Sequence, residues 1–167
     1  SRLKGGYMRK IALASVVGFF AALCISVSSV KAAAPYCGIT WGSLPKEAST
    51  MTSRSLTNIR TGQHGCYDRM VFDLSGAGGT GYRVEYVSAV RTGGAGTVIP
   101  VTGGAKLQVR VNAPVYNTSG VVTYNAVIGQ KLPGVNLAGY QTFKDAKYAG
   151  SYEGYTTVGL GVRAQLP

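Results

Sequence analysis

The stretch HGCYDRMVFDL, His64 to Leu74, decides the fold. It holds the chain's single histidine, one of its three cysteines, two of its six acidic residues and an arginine. Read as chemistry, His64 near Asp68 is a proton-transfer pair, because a carboxylate can orient an imidazole. Read as structure, Met70, Phe72 and Leu74 alternate with Arg69, Val71 and Asp73, the period-two pattern of a half-buried strand. The structural reading is favoured. Asp68 and Arg69 are adjacent and so point to opposite faces of a strand, and no Ser or Cys nucleophile sits in a recognisable elbow nearby. Asp68 is therefore expected to cap a turn and Arg69 to pair across strands, in a core strand whose polar start is anchored at Cys66.

The same alternation recurs outward from this stretch. Tyr82, Val84 and Tyr86 alternate with Arg83 and Glu85, and Val158, Leu160 and Val162 share one face of TTVGLGVR, Thr156 to Arg163. TVIPV (97–101), the turn TGGA (102–105) and KLQVRV (106–111) are expected to form a hairpin, with Leu107, Val109 and Val111 inward and Lys106, Gln108 and Arg110 outward. Pro100 restricts its own strand to an edge or an end. Between Pro114 and Asp145 the turn signals NTSG, KLPG and LAG leave room for strands near Val121–Ala126 and Tyr140–Phe143. No sustained 3.6-residue apolar period follows Ala33, so the fold class is all-β and antiparallel. SGAGGTG, Ser75 to Gly81, matches G-x-G-x-x-G formally, but the strand GYRVEYV follows where a dinucleotide site needs a helix. A long hairpin loop is the reading that remains.

The N-terminal segment is of a different kind. Ser1–Tyr7 precede Met8, after which Arg9 and Lys10 lead into an uncharged apolar run from Ile11 to Val27, and Val30 and Ala32 are small residues at a cleavage site. Residues 1–32 thus read as upstream residues and a secretory signal; an uncleaved anchor is the competing reading. Residues 33–55 read as an extended lead-in and 56–167 as the domain, with no membrane span after the signal. The formal net charge of +11 falls to +6 beyond residue 32, because five of seventeen basic residues and none of six acidic ones precede Ala33. The remaining cations are scattered, without the cluster or basic helix that nucleic-acid binding requires, while a negatively charged wall or membrane surface suits the balance. In an exported chain Cys37 and Cys66 read as one disulfide. One histidine and two distant cysteines make no zinc pattern, so neither metal nor cofactor is expected.

Three functional classes can be argued from the side chains. Ten of the eleven tyrosines follow Ala33, several near glycine. Such rings with wet hydroxyls suit carbohydrate or peptide contact. Tyr82, Tyr86, Tyr152 and Tyr155, with Arg69 and Arg163, are the candidate binding residues, and Gly159 and Gly161 would leave a flat strip opposite Val158, Leu160 and Val162. The competing reading is that tyrosine suits half-buried strands and glycine marks close backbone approach. A second class is a protein-interaction module that recruits a wall enzyme by strand addition. A third is a small wall hydrolase drawing on His64, Asp68, Asp73, Glu85, Asp145 or Glu153, although sequence supplies no carboxylate spacing.

Cys37 with ITWGS, then LTNIRTGQHGCYDRMVFDL, GYRVEYV, AKLQVRV and YEGYTTVGLGVR follow one another in an order that resembles the AMIN-like domain of secreted actinobacterial proteins, a relative of the AMIN domain that accompanies cell-wall amidases. The most specific piece is Arg60, Gly62, His64, Asp68, Arg69, Val71, Phe72 and Asp73. The resemblance implies a β-sandwich and a non-catalytic, secreted envelope module whose partner is a wall polymer such as peptidoglycan or an envelope protein. Within it Arg60, His64, Asp68 and Arg69 form a structural polar motif. The family pattern continues into a further strand, so a domain shortened at its C-terminus, with an exposed sheet edge, is expected.

Overall fold

A computed structural model describes residues 37–166. The segment expected to be a secretory signal and the start of the expected lead-in lie outside the described residues. Nine strands form, β1 (Lys46–Ala48), β2 (Leu56–Gln63), β3 (Asp68–Leu74), β4 (Tyr82–Tyr86), β5 (Val90–Arg91), β6 (Val98–Ile99), β7 (Ala105–Val111), β8 (Phe143–Tyr152) and β9 (Tyr155–Val162), with no helix among the described residues. Five make one antiparallel sheet in the order β1-β4-β7-β9-β8, while β2-β3 and β5-β6 are separate pairs.

The strand at the centre of the sequence argument is β3, and it pairs with β2. His64 N–H donates to Tyr67 O at 2.9 Å, so residues 64–67 turn the chain before the strand begins at Asp68. The alternation then aims Met70, Phe72 and Leu74 at the core, where Leu56 and Ile59 of β2 are buried beside them. On the facing sheet the register aligns Tyr86, Leu107 and Leu160 in one row and Val84, Val109 and Val158 in the next. These apolar rows and the β2-β3 pair form the two layers of an antiparallel β-sandwich. Each fully buried Val, Leu or Ile contributes roughly 1.5–3 kcal/mol, which is why the layers close here.

The other face of the five-stranded sheet is covered as well. Val90 and Ile99 of the β5-β6 pair join Val101 and Ala149 in a second small core. This corrects the expected hairpin of residues 97–111. β6 pairs with β5, and β7 runs between β4 and β9. After Pro100 the chain lies against β9 instead of reversing tightly, so that a Cβ added at Gly103 would lie only 2.8 Å from Val162 O.

Three further expectations are corrected. No strand forms at 121–126, where the chain between flanking turns makes only the isolated bridge Tyr116↔Val122 and leaves Val121 and Val122 exposed, and the strand placed near 140–143 starts at Phe143 and runs ten residues to Tyr152. Ser75–Gly81 is an arch between layers, because β3 and β4 lie in different sheets. Arg54 holds it, donating from Nη2 to Gly79 O at 2.8 Å and from Nη1 to Gly76 O at 3.4 Å.

Both edges of the large sheet are short of free backbone. β1 has three residues, follows Pro45 and carries Lys46 and Glu47, features that blunt an edge. Along β8, Leu132 N–H donates to Ala146 O, Tyr148 N–H to Gln130 O and Gly129 N–H to Tyr148 O.

Candidate functional site

At the end of the sandwich where the β2-β3 turn stands away from the large sheet, the layers part and leave a cleft of 580 Å³. Its floor comes from the inward rows: Val84 and Tyr86 of β4, Leu107 of β7, Phe143 of β8 and Val162 of β9. One wall is the lead-in segment 41–44 with Cys66, Tyr67 and Asp68; the other is Arg163, Ala164 and Leu166. The volume and apolar lining are those of a small-ligand pocket.

The Cys37–Cys66 disulfide, with Cα atoms 6.1 Å apart, fastens the lead-in wall to the β2-β3 turn. Three rings follow from that fastening. His64 stacks on Tyr67 at 4.7 Å between centroids, and Trp41 meets Tyr67 at 6.5 Å. Across the cleft Leu166 N–H donates to the Tyr86 hydroxyl at 3.4 Å.

The polar motif read from sequence splits into structural parts. Asp68 Oδ2 accepts from Thr142 N–H at 2.7 Å and Phe143 N–H at 2.9 Å, capping the start of β8. Arg60 engages Asp73 in a fork, Nε to Oδ2 at 2.6 Å and Nη2 to Oδ1 at 2.7 Å. That hydrogen bonding holds the Asp73 carboxyl below its usual range and pushes the guanidinium up. His64 and Arg69 are exposed, and Arg69 sits opposite Gly62 in the β2-β3 ladder without an ion pair among the described residues.

Of the candidate binding residues, the fold brings together only Tyr86 and Arg163, both at the cleft. Tyr82 is at the other end of β4, opposite Val111. Tyr152 covers Gly93 and Gly94, and its phenol is pushed up by a hydrogen bond to the Glu153 carboxylate. Tyr155 is beneath the Arg110 guanidinium, 4.8 Å from the ring centroid, on the opposite face of the sheet. The glycine strip is no open surface. A Cβ at Gly159 would meet Val101 and Val90 methyls at 2.8 Å, and one at Gly161 would overlap Thr102 O. Trp41, Tyr67 and Phe143 were not singled out as site residues by sequence reasoning, and Leu107 was read only as facing inward, although a lone Trp four residues from a disulfide cysteine is a usable signal.

All six carboxylates are engaged. Glu47 and Glu85 both pair with Arg83, whose hydrogen bonds raise the guanidinium further and hold Glu85 below its usual range. Asp145, buried, accepts from Thr102 N–H at 3.0 Å. With Asp68, Asp73 and Glu153 in the contacts given above, the acids proposed for hydrolysis hold structure instead of facing one another across a cleft. Among the described residues no group of three His, Cys, Asp or Glu side chains could hold a metal ion.

A stapled, two-layer β-sandwich whose concave end is apolar and whose acids are bound up in structure has the form of a binding module. The family model for the AMIN-like domain matches residues 54–167, well over half of the chain, and the chain belongs to that family. Its members are in general non-catalytic modules of secreted or cell-wall-associated proteins. No curated protein and no solved structure is significantly similar to the chain.

Proposed function

We propose that this chain is a secreted, non-catalytic envelope module, with residues 1–32 as upstream residues and export signal and 33–167 as the exported part, that binds peptidoglycan or another anionic wall component. One observation carries the reading. Every carboxylate is consumed inside the domain, whereas only Arg60 and Arg83 of the twelve cations beyond residue 32 form ion pairs among the described residues. The other ten cations have no ion-pair partner among the described residues, so an extended polyanion meets them with no internal acid to displace. Arg110 over Tyr155 adds a ring and a cation side by side, a pairing suited to sugar and carboxylate contact.

Co-sedimentation with purified peptidoglycan across a salt series tests this. Binding should be strong at about 0.01 M salt and weaken as the Debye length contracts to about 8 Å near 0.15 M. Failure to sediment at low salt removes the proposal. A second reading, recruitment of a wall enzyme, draws on exposed Val121, Val122, Val127 and Ile128 in the long β7-β8 connection. With both sheet edges short of free backbone, such a partner would be held by side chains; native-envelope cross-linking that returns no defined partner counts against it.

A further inference from the structure

The cleft carries an inference beyond wall-polymer binding, and it rests on the balance of charge at its rim. Four charged residues besides the apolar lining border it: Lys46, Asp68, Glu85 and Arg163. The two acids are already satisfied, Asp68 by the Thr142 and Phe143 amides and Glu85 by Arg83. The two cations are exposed and have no ion pair among the described residues. Lys46 lies on the inner face, opposite Val84 in the β1-β4 ladder, and Arg163 directly follows the last residue of β9. Beyond the cations, Leu44 and Leu166 stand 80% and 38% exposed at the mouth, apolar lips facing water. An apolar trough, two unpaired cations and uncovered apolar lips fit a ligand with a hydrocarbon body and an anionic head.

We propose that this cleft binds a single-chain anionic amphiphile, an alkyl chain ending in a phosphate or a carboxylate. The chain lies over Tyr86, Leu107, Phe143 and Val162, and the head sits at Lys46 and Arg163. The inference is independent of whether the cationic surface binds peptidoglycan. Trp41 is the only tryptophan and forms part of the cleft wall, so its fluorescence reports occupancy of this site and no other.

The test titrates the full chain with dodecyl phosphate and dodecanoate below their micelle thresholds while following Trp41 emission. A saturable change is expected, with affinity falling about fourfold for each methylene removed, the increment of a buried CH₂. Whichever head binds tighter names the head chemistry. Lys46→Ala and Arg163→Ala, both at exposed positions, should each weaken binding about threefold, in the range of an exposed ion pair. Inorganic phosphate alone should leave the emission unchanged. The proposal is overturned by an unsaturable response, by equal affinity for dodecyltrimethylammonium, or by variants that bind as the parent does. These variants leave the apolar signal segment intact, so amphiphile adsorbed there cannot imitate their effect.

Discussion

Gly161→Ala separates a covered strip from an open one. Gly161 lies between Lys106 of β7 and Asp145 of β8 on the face that the chain crosses at Thr102. A methyl at this position would occupy the space of Thr102 O and come within 3.2 Å of Asp145 Cβ. Thr102 must then move away, and its amide and hydroxyl, which donate to Asp145 Oδ2 at 3.0 and 3.3 Å, go with it. Overpacking costs about 1–3 kcal/mol, and loss of a hydrogen bond to a buried charge about 1.5–3 kcal/mol. Together about 3–5 kcal/mol of stability should go, a fall in Tm of about 10–20 °C for a domain of this size. Gly159→Ala meets only valine methyls, which can shift more readily than a backbone carbonyl, and should cost about 1–3 kcal/mol. Thermal unfolding followed by circular dichroism reads both. If Gly161→Ala melts within about 2 °C of the parent, or Gly159→Ala is the worse of the two, the covering of this strip by residues 90–102 is wrong and the strip is open to ligand.

Other predictions follow from the same contacts. Asp68→Ala strands the Thr142 and Phe143 amides and should cost about 2–4 kcal/mol in urea unfolding, with Asp68→Asn retaining part of it. The Glu85 carboxyl is held low in the folded state, chiefly by hydrogen bonding to Arg83, so its contribution is complete above the unfolded glutamate value and is lost as pH falls through the folded one. Chemical denaturation from pH 7 to pH 2 should show Glu85→Gln with the shallower acid slope, and equal slopes would contradict the pair. Reduction of Cys37–Cys66, which closes a separation of 29 residues, should cost about 3–4 kcal/mol on the chain-entropy account, measured by urea midpoint with and without reductant.

The legible elements were those whose two faces differ. β3 carries an apolar row against the five-stranded sheet, β4, β7 and β9 each carry one against the β2-β3 layer, and that asymmetry prints the period of two. β8 is buried on both sides and broken by register shifts at Phe143/Asp145 and Tyr148/Gly150, so FKDAKYAGSY shows neither alternation nor an apolar run. The β5-β6 pair has two residues to a strand, too few for any period, and its partner is decided by the fit of Val90 and Val101 over Gly159. The disulfide followed from cysteine parity and the export expected of the N-terminal segment. The cleft did not, because its lining is contributed by segments from Trp41 to Leu166 that only the fold assembles.

The disulfide also sets how the domain would carry tension. Force applied to the chain ahead of Cys37 passes through the sulfur bridge to Cys66, in the turn between β2 and β3. Residues 38–65, among them the three-residue β1, are bypassed. A pull from that side therefore cannot unzip β1 from β4, the weakest seam of the sheet, and must instead shear the β3 layer from the core. Once the bridge is reduced, the same pull reaches β1 first. One covalent bond thus determines which seam of the domain would bear such a load.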